Sequence, residues 1–131
     1  NKRIEHQRTA CDWLTRDAKI VDAYVADLLC GFTVTAGLAR DMLMGLKYIQ
    51  EPENLEKMEK QLPVLFIAGS DDPVGNYGQG VKQTVKAFTD AGMEHVSMRL
   101  YPLCRHEVLN ELNKEEVYAD VLNWLVSKVE E

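Results

Sequence analysis

The chain's 131 residues fit one domain or part of one, and 46% hydrophobic with 27% charged residues is a globular balance that argues against a disordered chain. A net charge of −6, with lysines and glutamates interspersed, gives no positive surface for nucleic acid or anionic lipid. The longest apolar run, 64–68, falls far short of the roughly 20 residues a membrane span needs.

Residues 1–8 are polar and lack the apolar core of a signal peptide, which says little for a chain that reads as a fragment; three cysteines without close pair spacing suggest a reducing compartment, so a cytoplasmic location is the expectation. Residues 1–60 read as helical or irregular. Ile20, Val21, Tyr24, Val25, Leu28 and Leu29 recur at helical spacing over 17–29. Ala39, Met42, Leu43, Leu46 and Ile49 form a second helical stripe, widened by Leu38, Met44 and Tyr48. Pro52 ends or interrupts that helix, and 53–60 suits a short charged one.

Residues 61–131 read β-α-β-α. The run 62–68 is continuously apolar, the pattern of a strand covered on both faces of a parallel sheet. Val81, Val85 and Phe88 space a helix that Gly92 can end in a left-handed conformation. Over 95–101, Val96, Met98 and Leu100 alternate with Ser97, Arg99 and Tyr101, which predicts a half-exposed strand. Asn113 with Glu116 makes a capping box for the last helix, whose inner face carries Val117, Val121, Trp124, Leu125 and Lys128. Two strands make a marginal sheet, so further strands are expected from outside this sequence or from a second copy.

Beyond the carboxyl ends of parallel strands, functional groups gather. Two loops leave strands in that sense: 69–75, with Asp71 and Asp72, and 102–108, with Cys104 and His106. On one rim, an aspartate and a histidine can form the acid–base half of a catalytic triad. Asp72 is preferred to Asp71 because Pro73 fixes the chain after it and can aim the carboxylate. The competing reading of Asp71-Asp72-Pro73 is a turn closed by Asx hydrogen bonds, and of His106 a structural loop histidine. His6, in a polar terminus, and His95, at a strand start, are read as structural. The serines Ser70, Ser97 and Ser127 occupy no G-x-S-x-G elbow, so no nucleophile is recognised. Cys104 invites a Cys–His alternative, although neighbours two residues apart in a loop rarely align for proton transfer. Cys11, Cys30 and Cys104 are odd in number, with no CxxC or HExxH spacing, so no disulfide framework, metal or cofactor is expected.

The stretches Leu62-Pro-Val-Leu-Phe-Ile-Ala-Gly-Ser-Asp-Asp-Pro-Val-Gly75 and Tyr101-Pro-Leu-Cys-Arg-His-Glu-Val-Leu-Asn-Glu111 resemble the acid and histidine loops of bacterial α/β-hydrolases of the lysophospholipase, monoacylglycerol-lipase and serine-aminopeptidase-like group. Asp12-Trp-Leu-Thr-Arg-Asp17, with Val21-Asp-Ala-Tyr24 and Ala26-Asp27, resembles that group's cap segment. The likeness runs from about Thr9 to Leu125. It implies the C-terminal part of an α/β-hydrolase: a cap (lid) segment at 1–60, then the last two parallel strands with their helices at 61–131. It also implies that Asp72 is the triad acid and His106 the base, with the serine and oxyanion donors on sequence preceding this chain. Cleavage of a carboxylic ester in a small lipid-like substrate is the implied reaction, with Phe32, Leu38, Met42, Leu43 and Met44 as candidates to line the acyl site. The chain by itself is expected to be inactive and to self-associate or pair with the preceding part. The sequence departs from the group at Leu28, where the cap usually has proline, and at Leu103 and Cys104, where small residues are common. The rival class is a non-catalytic α/β interaction module.

Overall fold

The computed structural model describes residues 3–129; the outermost residues of the two predicted segments, 1–2 and 130–131, lie outside the described residues. Five helices and two strands follow in the order α1 (Ala18–Ala26), α2 (Ala36–Gln50), α3 (Pro52–Leu55), β1 (Val64–Gly69), α4 (Gln79–Asp90), β2 (Val96–Tyr101) and α5 (Lys114–Val129). A short 3₁₀ turn, Val108–Asn110, precedes α5. The helical first part and the β-α-β-α second part are therefore those the periodicity predicts.

Local chemistry sets the boundaries. The Asp17 carboxylate accepts from the Lys19 N–H to cap α1, and the Thr35 hydroxyl accepts from the Leu38 N–H to cap α2. Pro52 ends α2 and stands at the start of α3, where a missing N–H costs nothing. The charged helix predicted over 53–60 is shorter, because only Pro52–Leu55 closes into a regular turn. Gly92 is left-handed (φ 88°), and the Met93 N–H reaches back to the Phe88 carbonyl to close α4.

β1 and β2 pair in parallel, with Val64 opposite Val96 and Gly69 opposite Tyr101. Their common direction sends both following loops off one edge. Tyr101, Cys104, Val108 and Val117 form the buried core, with Ile67 and Val121 packed against it. Phe66 and Phe88 meet edge-on at 5.0 Å, fixing α4 against β1.

Two expectations are corrected. Tyr101 does not share an exposed face with Ser97 and Arg99. It is only 1% exposed, because α5 covers that side, and the Tyr101 hydroxyl donates to Asp120 while Arg99 pairs with Asp120 and Glu116. Asn113 does not cap α5 with its side-chain oxygen, which instead accepts from Arg16 and the Cys104 thiol; its amide donates to Glu116. The apolar stripe predicted for α2 is uncovered: no residue of α2 is buried.

Candidate active site

The acid loop begins where β1 ends. Ser70 and Asp71 bond backbone to backbone with Tyr101 and Cys104, so the β1 ladder continues into both loops. Gly69 makes this possible: a Cβ there would lie 2.0 Å from the Cys104 carbonyl oxygen and 2.2 Å from that of Arg105. The next turn folds around Asp72. Its Oδ1 accepts from the Val74 N–H at 2.8 Å and its Oδ2 from the Gly75 N–H at 3.1 Å. This is the Asx turn weighed above, and it aims the carboxylate rather than competing with it. Asn76 (φ 49°), Tyr77 (φ 55°) and Gly78 (φ 79°) are consecutively left-handed and return the chain to α4. An aromatic residue there is backbone strain held by surrounding bonds, among them Tyr77 N–H to the Asp72 carbonyl at 2.8 Å.

The buried Asp72 carboxylate reaches the histidine loop, with Oδ2 lying 3.1 Å from His106 Nδ1. The Asp72 side chain is 8% exposed and that of His106 39%. A carboxylate only accepts, so in the neutral imidazole this contact assigns the proton to Nδ1 and leaves the Nε2 lone pair open. Among the described residues Nε2 has no hydrogen-bond partner, and this is the nitrogen free to take a proton. Asp71 turns elsewhere and accepts from the Ser70 hydroxyl. His95 lies by Gln61.

Segment 12–16 straps the histidine loop from outside. The His106 and Glu107 N–H groups donate to the Trp13 and Leu14 carbonyls at 3.3 and 2.7 Å. The Trp13 ring sits 5.2 Å from the imidazole. Arg105 Nη1 donates to the Asp12 and Thr15 carbonyls, and the Thr15 hydroxyl to the Asn110 carbonyl. Asp12 anchors the strap. Burial pushes its carboxyl up, but hydrogen bonds from Thr9 and the Arg8 N–H, with the Arg8 charge, outweigh it and hold it below the ordinary value. Glu111 is 1% exposed and accepts from Arg16 N–H, Arg16 Nε, Arg105 N–H and Leu112 N–H. Sequence reasoning gave Trp13, Arg16, Arg105 and Glu111 no role. The available signal was a glutamate flanked by Asn110 and Leu112 in an apolar stretch, together with an arginine in the distant 12–17 motif.

Cys104 is fully buried. Burial first, then the Glu111 charge, raises its thiol, and it faces Asn113 and Arg16 rather than the imidazole. Ser70 accepts from the Leu103 N–H, Ser127 donates to the Trp124 carbonyl, and neither is bonded to His106. Phe32, Leu38, Met42, Leu43 and Met44 are all exposed, between 50% and 65%. An apolar groove of about 1010 Å³ runs between α2, α3, β1 and α4, lined by Leu46, Ile49, Phe66, Val81 and Phe88 among others but by none of those five. Among the described residues, no group of three or more His, Cys, Asp or Glu could hold a metal, and no helix is long and apolar enough to cross a membrane.

The chain is similar to the monoacylglycerol lipase of Mycolicibacterium smegmatis, 31% identical over 121 residues, covering 88% of this chain and 39% of that protein. An uncharacterized abhydrolase domain-containing protein of Dictyostelium discoideum is 26% identical over 121 residues, covering 89% of this chain and 12% of its own length. Among solved structures, a highly thermostable carboxyl esterase from Bacillus coagulans in complex with glycerol superposes with TM-score 0.81 and 30% identity, covering 98% of this chain and 41% of that one. A lipase in its open form superposes with TM-score 0.80 and 26% identity, covering 98% and 40%. The chain thus spans about two-fifths of the lipase and of the two solved structures. The family model for serine aminopeptidase, S33, matches residues 2–113. With most of the chain matched and the parallel β-α-β unit superposing on esterases and lipases, this chain belongs to the serine aminopeptidase S33 family and has the α/β-hydrolase fold.

Proposed function

We propose that this chain is the C-terminal portion of a serine hydrolase that cleaves carboxylic esters, and that it supplies the acid and base of the triad. The observation that carries the proposal is the contact of Asp72 Oδ2 with His106 Nδ1, which leaves Nε2 unpaired among the described residues on a part-exposed ring. In this reading a serine on preceding sequence attacks the ester carbonyl. His106 Nε2 takes the serine proton and returns it to the departing alcohol; water then repeats the cycle on the acyl-enzyme. Asp72 fixes the tautomer and stabilises the imidazolium.

Residues 1–60 form the cap in this account and 61–131 the end of the core. The name of the Mycolicibacterium smegmatis relative supports a monoacylglycerol as substrate class, and the resemblance of the two loops adds a lysophospholipid as the alternative. Cys104 is not the nucleophile: burial keeps its thiol protonated and its partners lie away from His106. The 131-residue chain without the serine and oxyanion donors has no hydrolase activity, because a triad acts as a unit.

The test is ester hydrolysis by the protein at the length of its relatives. His106→Ala lowers turnover by several orders of magnitude, whereas an unchanged rate removes the assignment.

A further inference from the structure

Glu111 presents an arrangement that the proposed mechanism does not use. Its carboxylate is enclosed, with a side-chain exposure of 0%, and both oxygens are taken. Oε1 accepts from the Arg16 N–H at 3.1 Å and from the Arg105 N–H at 2.7 Å; Oε2 accepts from Arg16 Nε at 2.8 Å and from the Leu112 N–H at 3.1 Å. A buried charge persists only when its hydrogen bonds are this complete.

The donors share one destination. Arg105 is the residue before His106. Arg16 ends the strap whose Trp13 carbonyl accepts the His106 N–H and whose Leu14 carbonyl accepts the Glu107 N–H. One carboxylate therefore ties together the two backbone segments that flank the imidazole. The His106–Trp13 bond is 3.3 Å, and Glu111 shares the tie between loop and strap with the 2.7 Å Glu107–Leu14 bond and the Arg105 Nη1 bonds to the Asp12 and Thr15 carbonyls. Among the described residues, the imidazole's hydrogen-bond and ring partners are Asp72 and Trp13, not Glu111.

We infer that Glu111 is a positioning residue for His106: by clamping the Arg105 N–H to Arg16 it holds the imidazole in register with Asp72, and so keeps the Nδ1–H tautomer that leaves Nε2 able to accept a proton. The inference rests on the acid–base reading above for its catalytic consequence, but not for its structural content.

Glu111→Gln tests it without opening a cavity. The remaining amide oxygen can accept from Arg105, but the new NH₂ faces Arg16 Nε or Leu112 N–H, donor against donor. Two readouts are taken, with Val117→Ala, a core residue outside the network, as the control whose thermal stability is matched by adjusting temperature. The first is the tautomer of His106 in the 131-residue chain, read from long-range ¹H–¹⁵N NMR spectra, with His95 as internal reference. The wild type and Val117→Ala show the Nδ1–H form, whereas Glu111→Gln shows the Nε2–H form mixed in. The second is ester turnover by the protein at the length of its relatives. Glu111→Gln lowers kcat about 100-fold, the size expected for a misplacement near 1 Å, with KM changed little.

A Glu111→Gln chain that keeps a pure Nδ1–H imidazole overturns the inference. So does a loss of kcat no larger than that of Val117→Ala at matched stability. If His106→Ala leaves turnover intact, the acid–base reading fails separately, and the tautomer measurement alone then decides the role of Glu111.

Discussion

Replacing Gly69 by alanine adds one methyl group at the point where the two functional loops touch. The added Cβ would lie 2.0 Å from the Cys104 carbonyl oxygen, 2.2 Å from the Arg105 carbonyl oxygen and 2.4 Å from the Cys104 carbonyl carbon. All three are backbone atoms, so no side-chain rotation relieves the overlap. Ordinary contact requires the 104–105 segment to retreat by about 1 Å or more, which stretches the 2.9 Å bond from Asp71 N–H to the Cys104 carbonyl and the bond from Leu103 N–H to Ser70. Overpacking costs about 1–3 kcal/mol, and two weakened bonds near buried groups add about 1 kcal/mol each, so the expected loss is about 3 kcal/mol or more. The assay is urea denaturation of the chain followed by circular dichroism, with Gly45→Ala alongside. Gly45 lies inside α2 with nothing within 4 Å of an added Cβ, so its replacement raises stability by about 0.5–1 kcal/mol. If Gly69→Ala unfolds at the wild-type midpoint, the close approach of the two loops is not as described and the reasoning fails.

Leu103 occupies the left-handed region (φ 63°) and is 62% exposed. Leu103→Gly should therefore raise stability by about 1 kcal/mol in the same titration, and a decrease would contradict the account. Asp12 contributes a pH dependence. Its folded carboxyl titrates below the ordinary aspartate value of 3.8, so the stability it gives is fully present above that value and is lost as pH falls through the folded one. Asp12→Asn should thus be less stable than wild type at pH 7, with the gap closing on acidification below 3.8; a gap constant with pH would refute the assignment. The exposed α2 face, with Leu38, Met42, Leu43, Leu46 and Ile49 at least 43% exposed, should make the chain self-associate. Sedimentation velocity at micromolar concentration checks this, and a monodisperse monomer counts against it.

Much of this was legible in the sequence for identifiable reasons. The continuous apolar run before Gly69 and the alternation over 95–101 give the two strands, and Asp72 and His106 follow because parallel strands deliver their loops to one rim. The preference for Asp72 over Asp71 also follows from local chemistry, since Pro73 shapes the turn in which Asp72 accepts two backbone N–H groups. What periodicity could not give is partnership across long separations. Glu111 and Arg16 are 95 residues apart, and neither carries a local pattern that names the other. Tyr101 was misplaced because strand alternation records which side a residue faces, not what covers that side; α5 supplies Asp120 for its hydroxyl. Asn113 was misassigned because its capping role competes with Arg16 and Cys104, contacts that no short motif displays. The left-handed run at Asn76 and Tyr77 carries no turn signature that alternation or apolar spacing would register.

The account turns on a histidine on this chain activating a serine that is not one of its own. Labelling the protein, at the length of its relatives, with a fluorophosphonate and mapping the adduct by mass spectrometry tests both halves together. The expected result is one adduct per molecule on a serine preceding this sequence, formed orders of magnitude more slowly in His106→Gln. An adduct on Ser70, Ser97, Ser127 or Cys104, or labelling that proceeds undiminished without His106, would contradict it.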